Sequence, residues 1–189
     1  LVSGGHTWKS ITTGYQHTCG LTTTDEAYCW GNNVAGQIGD GTSGVDKSKD
    51  TPTLVSGGET ETWVSISAGV DHTCGVSSPF QTSSGLKGWC WGGNATGNLG
   101  DGTTTERLVP TRETYRGVWA MISAGASTDE AHTCGVIHAG SAMCWGNGGY
   151  GKIGNQVEGA PSYSDPQNVQ GGGNNDWESI SAGADHTCG

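Results

Sequence analysis

One phrase occurs four times in this chain, and it restricts the fold more than any other feature. It reads Trp-x-x-Ile, a Ser/Thr-x-Gly step, a short spacer, then His-Thr-Cys-Gly. The copies begin at Trp8, Trp63, Trp119 and Trp177 and end at Cys19, Cys74, Cys134 and Cys188. A second phrase, Cys-Trp-Gly with a Gly-rich tail, sits between them at Cys29, Cys90 and Cys144. A period of about 55 residues built on Trp, paired Cys and Gly marks a repeat architecture, in which each unit buries its apolar face only by stacking on the next. The units fall at about 1–55, 56–111 and 112–169, with a partial unit at 170–189. Such a chain is built for shape before chemistry.

Aliphatic content alone argues against a core. Leu, Ile, Val and Phe make up 26 of 189 residues, below the roughly 20% that separates folded from disordered chains. Eight Trp and seven Cys reverse that expectation. Each Trp buries on the order of 200 Å², and Trp8, Trp30, Trp63, Trp91, Trp119, Trp145 and Trp177 recur in register as the expected core of the units. The 35 Gly fit tight turns and close packing better than a linker.

The net charge is −10, from 8 basic and 18 acidic residues. The sequence has no basic run, so the electrostatic footprint of nucleic-acid binding is missing. No apolar stretch approaches the length of a membrane-spanning helix. The chain starts at Leu1 without Met or a leader, and reads as a mature or excised piece.

Six cysteines fall into pairs within the units: Cys19 with Cys29, Cys74 with Cys90, and Cys134 with Cys144. The first and third pairs are 10 residues apart and the second 16, the extra length lying in Ser77–Lys87, where a hairpin tip is expected. Cysteines facing each other across two antiparallel strands are within disulfide reach. Zinc is the rival reading, because His17, His72, His132 and His186 each stand two residues before a Cys and share its strand face. Disulfides are preferred, since Cys-x-x-Cys and the usual zinc spacings are missing. They imply an oxidising compartment, extracellular, cell-surface or periplasmic, with the first two expected. Cys188 has no Cys-Trp-Gly partner within the chain; truncation explains this most simply, and pairing with another polypeptide is the alternative.

Within a unit, Trp63–Ala68 alternates large and small residues and reads as a strand. Gly69–Asp71 is a turn, His72–Val76 a second strand and Gly88–Trp91 a third. A Gly/Asn loop (92–97), the step Leu99–Gly102 and a Thr-rich linker to Pro110 complete the unit. Linkers such as Ser43–Asp50 and Gln156–Asp165 vary, as does the turn Ala126–Ala131 of the third unit, and variable loops are where repeat proteins place specificity. No apolar stripe keeps helical spacing, so the fold is all-β.

Catalysis finds little support. The four repeated histidines read as structural hydrogen-bonding groups within each unit, and no nucleophile, phosphate loop or carboxylate pair stands out. Asp40-Gly41 and Asp101-Gly102 lack the dense acidic loop calcium prefers and read as turns. Asn94-Ala-Thr96 is an N-glycosylation sequon in a loop expected to be exposed, and the Thr clusters 22–24 and 103–105 are either sites for O-linked sugar or solvated turns. Nothing points to a metal or cofactor.

Trp-x-x-Ile-x-x-Gly…His-Thr-Cys, Cys-Trp-Gly-x-Asn, Gly36-Gln-Ile-Gly-Asp-Gly-Thr42, Gly97-Asn-Leu-Gly-Asp-Gly-Thr103 and the degenerate Gly151-Lys-Ile-Gly154 together resemble the repeat of the regulator of chromosome condensation family. The resemblance covers nearly the whole chain. It implies β-propeller blades of four antiparallel strands, commonly seven to a ring, of which about three and a half are present, so a partial or open propeller. The namesake's GTPase-exchange and chromatin roles fit badly with disulfides and acidity, and no exchange-factor residue can be carried over. The expected function is a non-catalytic scaffold or assembly module that contacts other proteins or copies of itself. A secreted protein-binding inhibitor is the alternative, by analogy with an inhibitory bacterial propeller, and a GTPase exchange factor comes last.

Overall fold

In the computed structural model, which describes residues 2–57, 61–79, 85–127, 130–157, 159–171 and 176–189, the chain forms three four-stranded antiparallel meanders and a two-stranded start of a fourth. The first blade comprises β1 (Trp8–Thr13), β2 (His17–Thr22), β3 (Ala27–Gly31) and β4 (Lys49–Leu54). The second comprises β5 (Glu61–Ala68), β6 (His72–Pro79), β7 (Lys87–Gly92) and β8 (Arg107–Arg112). The third comprises β9 (Trp119–Ala124), β10 (His132–Ile137), β11 (Ala142–Gly146) and β12 (Tyr163–Asn168). β13 (Ser181–Ala182) and β14 (Thr187–Cys188) are the partial fourth.

The linker expected to end at Pro110 is a strand. Each fourth strand carries a proline, Pro52, Pro110 or Pro166, and pairs on one side only. Proline is tolerated on a sheet edge because its missing N–H leaves no ladder partner unsatisfied. The Gly-rich loop of the preceding blade ties this edge down: the Gly41 N–H donates to Leu108 O (2.9 Å), and that of Gly102 to Ser164 O (2.8 Å).

The first strands of successive blades touch one another along the inner edge. Here the Ser/Thr-x-Gly step acts. Thr12 Oγ1 accepts from the Ala68 N–H (3.3 Å), Ser67 Oγ from that of Ala124 (3.0 Å), and Ser123 Oγ from that of Ala182 (3.1 Å). Two residues on, a Cβ on Gly69 would stand 2.6 Å from Gly125 O, and one on Gly125 2.9 Å from Gly183 O. Only glycine lets the next backbone approach that closely.

Each core lies between blades. The first junction joins Cys19, Leu21, Cys29, Ile38 and Val55 of one blade to Trp63 and Trp91 of the next. The second joins Cys74, Val76, Cys90 and Leu99 to Trp119, Ile122 and Trp145. Every blade therefore has a sulfur-aliphatic face and a tryptophan face, as one-dimensional stacking requires. Trp63, Trp91, Trp119 and Trp145 are fully buried. Trp8, Trp30 and Trp177, also expected in the core, are only half-buried because they stand at the ends of the row.

Candidate interaction surfaces at the blade junctions

One hydrogen-bonded unit is built three times across the junctions. Thr73 Oγ1 donates its single proton to Gln37 O at 2.8 Å, so His17 Nε2, 2.8 Å from the same oxygen, must be a donor. Thr133 bridges His72 (3.0 Å) to Asn98 O (2.7 Å), and Thr187 bridges His132 (2.8 Å) to Lys152 O (2.8 Å). These bonds join neighbouring blades, which corrects the expectation that the histidines bond within one unit. In each ring Nε2 faces the threonine, and Nδ1 is buried without a hydrogen-bond partner among the described residues, although Asp71 Oδ1 stands 3.7 Å from that of His72. Burial first, then the neighbouring His72, pushes His17 down to about 4 against the opposing pull of Asp71. Burial, with Lys152 and two histidines behind it, brings His132 to about 4. Rings committed to these bonds serve as braces between blades.

The same carbonyls also hold tryptophan. Trp91 Nε1 donates to Gln37 O (3.0 Å) and Trp145 Nε1 to Asn98 O (2.9 Å). Gly39 and Gly100, at φ 77 and 72, make room for those indoles: a Cβ would meet Trp91 Nε1 at 2.5 Å and Trp145 Nε1 at 2.7 Å.

Asp40 and Asp101 organise the Gly-rich loops. Asp101 accepts from the Thr103 N–H (3.0 Å), Thr103 Oγ1 (2.7 Å) and Arg107 Nε (2.6 Å), and Asp40 holds Thr42 and Lys49 alike. Burial alone would raise both carboxyls, but these donors and the adjacent cation hold them below the usual carboxylate range. Asn94 belongs to this loop and is 2% exposed, not solvent-facing as its sequon suggested. Its Nδ2, the atom a glycan would need, donates to Thr103 O (3.1 Å) and Thr105 O (3.0 Å), while its Oδ1 accepts from the Leu99 N–H (3.0 Å).

The cysteines stand opposite one another on the second and third strands, joined as Cys19–Cys29, Cys74–Cys90 and Cys134–Cys144, with Cys188 free and exposed. Sequence reasoning missed the bridging threonines, although Thr stands between His and Cys in all four copies. It also missed Glu113, which is fully buried and accepts from Trp119 Nε1 (3.0 Å) and the Arg116 N–H (2.8 Å).

The ends of the row differ. On the first blade the tryptophan face is open: Trp8 and Trp30 pack with centroids 5.5 Å apart, and Ile11 is 50% exposed where Ile122 is 4%. On the third blade the sulfur-aliphatic face is covered in part by Trp177, Ile180 and Ala182. Beside them lies a cavity of about 290 Å³ lined by Cys144, Lys152, Ile153, Gly154, Trp177 and Cys188, among others.

Residues 24–76 and 139–189, more than half of the chain, match the Regulator of chromosome condensation (RCC1) repeat, and residues 8–37 match a second repeat type of that description. The ultraviolet-B receptor UVR8 of Arabidopsis thaliana is 32% identical over 77% of this chain and 31% of its own length. The probable E3 ubiquitin-protein ligase HERC4 of Mus musculus is 30% identical over 76% of this chain and 13% of its own. The chain thus spans about a third or less of these relatives. Among solved structures, Prp20p of Saccharomyces cerevisiae, described with its binding to Gsp1p and histones, superposes with a TM-score of 0.78 at 19% identity over 95% of this chain and 42% of that one. The receptor kinase CR4 ectodomain of Physcomitrella patens gives 0.54 at 22% identity, covering 98% and 39%. Both show the same blade architecture. With its three junctions and these matches, the chain belongs to the regulator of chromosome condensation repeat family.

Proposed function

We propose that this chain is a non-catalytic, extracellular β-propeller repeat module that serves as an assembly scaffold through protein–protein contacts. One observation carries the reading. Large apolar side chains stand exposed on the described surface, Ile11 at 50%, Val45 at 77% and Tyr150 at 83%. An exposed apolar patch rimmed by polar residues is the usual mark of a protein-contact surface. The three disulfides fit an oxidising compartment, and a receptor ectodomain shares the fold. Catalysis has no support from the buried histidines, which are committed to structural bonds.

Sedimentation velocity over a concentration series tests this. The wild-type chain is expected to form species heavier than the monomer as concentration rises, and Ile11→Lys to remove them without changing stability. A wild type that stays monomeric throughout contradicts self-assembly. A second reading, docking of a separate protein on the loops, draws on Tyr150, which is 83% exposed in the turn Gly149–Gly151 after β11.

A further inference from the structure

We propose that the turn between β8 and β9, residues 113–118, forms with Lys87 and Arg112 a docking surface for an acidic segment of a partner protein. This rests on the reading above and names the chemistry of one contact. The turn departs from the repeat. The Thr114 N–H donates to Gly100 O (2.8 Å), as that of Ser56 does to Gly39 O (2.8 Å) and that of Gln170 to Gly154 O (2.7 Å). Glu113 therefore stands where Val55 and Val169 do, and Tyr115 where Gly57 and Gly171 do. A residue found in one unit alone is not there for the stacking common to all. Glu113 places a fully buried carboxylate in an apolar position. One of its oxygens accepts from Trp119 Nε1, yet Trp63 Nε1 is buried without a partner among the described residues, so a junction forms without that bond. The other accepts the Arg116 N–H (2.8 Å) and holds that residue at φ 55. Bonds from the Trp119 N–H to Leu86 O (3.1 Å) and from the His138 N–H to Val118 O (2.8 Å) pin the far end. Tyr115, Arg116 and Val118 are exposed on this fixed turn.

Positive charge gathers beside it. β7 begins at Lys87 and β8 ends at Arg112, so both lie at the end of the blade from which the turn leaves. Lys87 Nζ and the Arg112 guanidinium stand 5.9 and 5.6 Å from the centre of the Trp89 ring. Lys9, Lys49, Arg107 and Lys152 each have a carboxylate within 3.1 Å. Lys87 and Arg112 come no nearer to theirs than 3.8 and 3.7 Å. Arg112 Nε is buried without a hydrogen-bond partner, and Arg116 has no ion pair, among the described residues. Under-partnered cations thus share one edge of a chain whose net charge is −10. A guanidinium fork takes a carboxylate through two parallel bonds. Tyr and Arg are the side chains that dominate contact energies, and a turn already fixed loses little freedom on binding. A short acidic segment matches this small patch, whereas a long polyanion meets the repulsion of the remaining surface.

The probe is a fluorescein-labelled hexaglutamate peptide, added to the native chain at low salt and followed by anisotropy. It is expected to bind, and Arg116→Glu to weaken binding at least about tenfold, as the loss of one dominant arginine does. Arg116→Lys should weaken it less. Lys47→Glu makes the same change of net charge at an exposed lysine elsewhere and should leave binding near that of the wild type. Carbodiimide should join the peptide to Lys87 in preference to Lys9 and Lys47. Equal losses in the Arg116→Glu and Lys47→Glu chains, cross-links spread evenly over these lysines, or no binding at all would overturn the proposal. So would an oligothymidylate of equal charge that binds as tightly through Arg116, because the surface would then read phosphate. Docking in a chain that stays monomeric at every concentration counts against the self-assembly reading alone. Assembly without peptide docking counts against this inference alone.

Discussion

A threonine hydroxyl shared between a histidine and a carbonyl is the smallest part of this structure that explains a repeated letter. Thr73→Val removes the bridge between His17 and Gln37 and leaves a buried imidazole N–H without an acceptor, an expected cost of about 1–3 kcal/mol in urea denaturation. Thr18→Val, the same position in the first blade, should cost far less in this chain because no histidine or carbonyl among the described residues shares its hydroxyl. The histidines also give the fold an acid limit. His17 and His132 titrate near 4 in the folded chain against 6.5 for the free side chain, so the unfolded chain takes up protons first as pH falls. Their contribution is intact above 6.5 and declines towards 4, by about 3 kcal/mol per histidine at 1.36 kcal/mol per unit. Denaturation midpoints that stay level across that range would show these rings to be solvated. The sequence revealed that His and Thr recur but not whom they touch. Periodicity makes positions equivalent; it does not distinguish a bond inside a repeat from one to its neighbour.

Strand by strand, legibility followed burial. β5, β6 and β7 alternate or carry Trp and Cys at fixed spacing, and so reveal themselves. The fourth strands read as linker because a half-exposed edge tolerates proline and needs no alternation, as in Lys49–Leu54. Their one signal was Pro52, Pro110 and Pro166 recurring in register. The expected exposure of Asn94 was misjudged for a different reason: it is in a loop, as expected, but its amide closes that loop from within, as Asn33 does in the first blade through the Ile38 N–H (3.0 Å) and Thr42 O (3.0 Å). The disulfides staple the second and third strands of each blade, one per cluster. Thiol titration of the native chain should find one reactive cysteine, Cys188. Replacing Cys74 and Cys90 together by Ser should cost about 2–5 kcal/mol. Reactive thiols at Cys19 and Cys29 in native protein would remove the case for an oxidising compartment.

For the molecule as a whole, stability draws on one surface repeated at four places. Where a neighbouring blade covers it, the Trp/Ile face is core; on the first blade, where no described residue covers it, Ile11 is exposed and Trp8 and Trp30 are half-buried. That difference lies in the position of a unit in the row and not in the letters of the unit, which is why Trp8 and Trp63 read alike in the sequence. The most direct measurement is therefore a matched pair, Trp63→Ala and Trp8→Ala, compared by equilibrium denaturation. Trp63→Ala should cost about 3–5 kcal/mol, the loss from a packed aromatic core position, and Trp8→Ala well under half of that. Equal losses at the two positions would mean that the tryptophans are not buried by blade stacking, and would contradict the role assigned to the junctions.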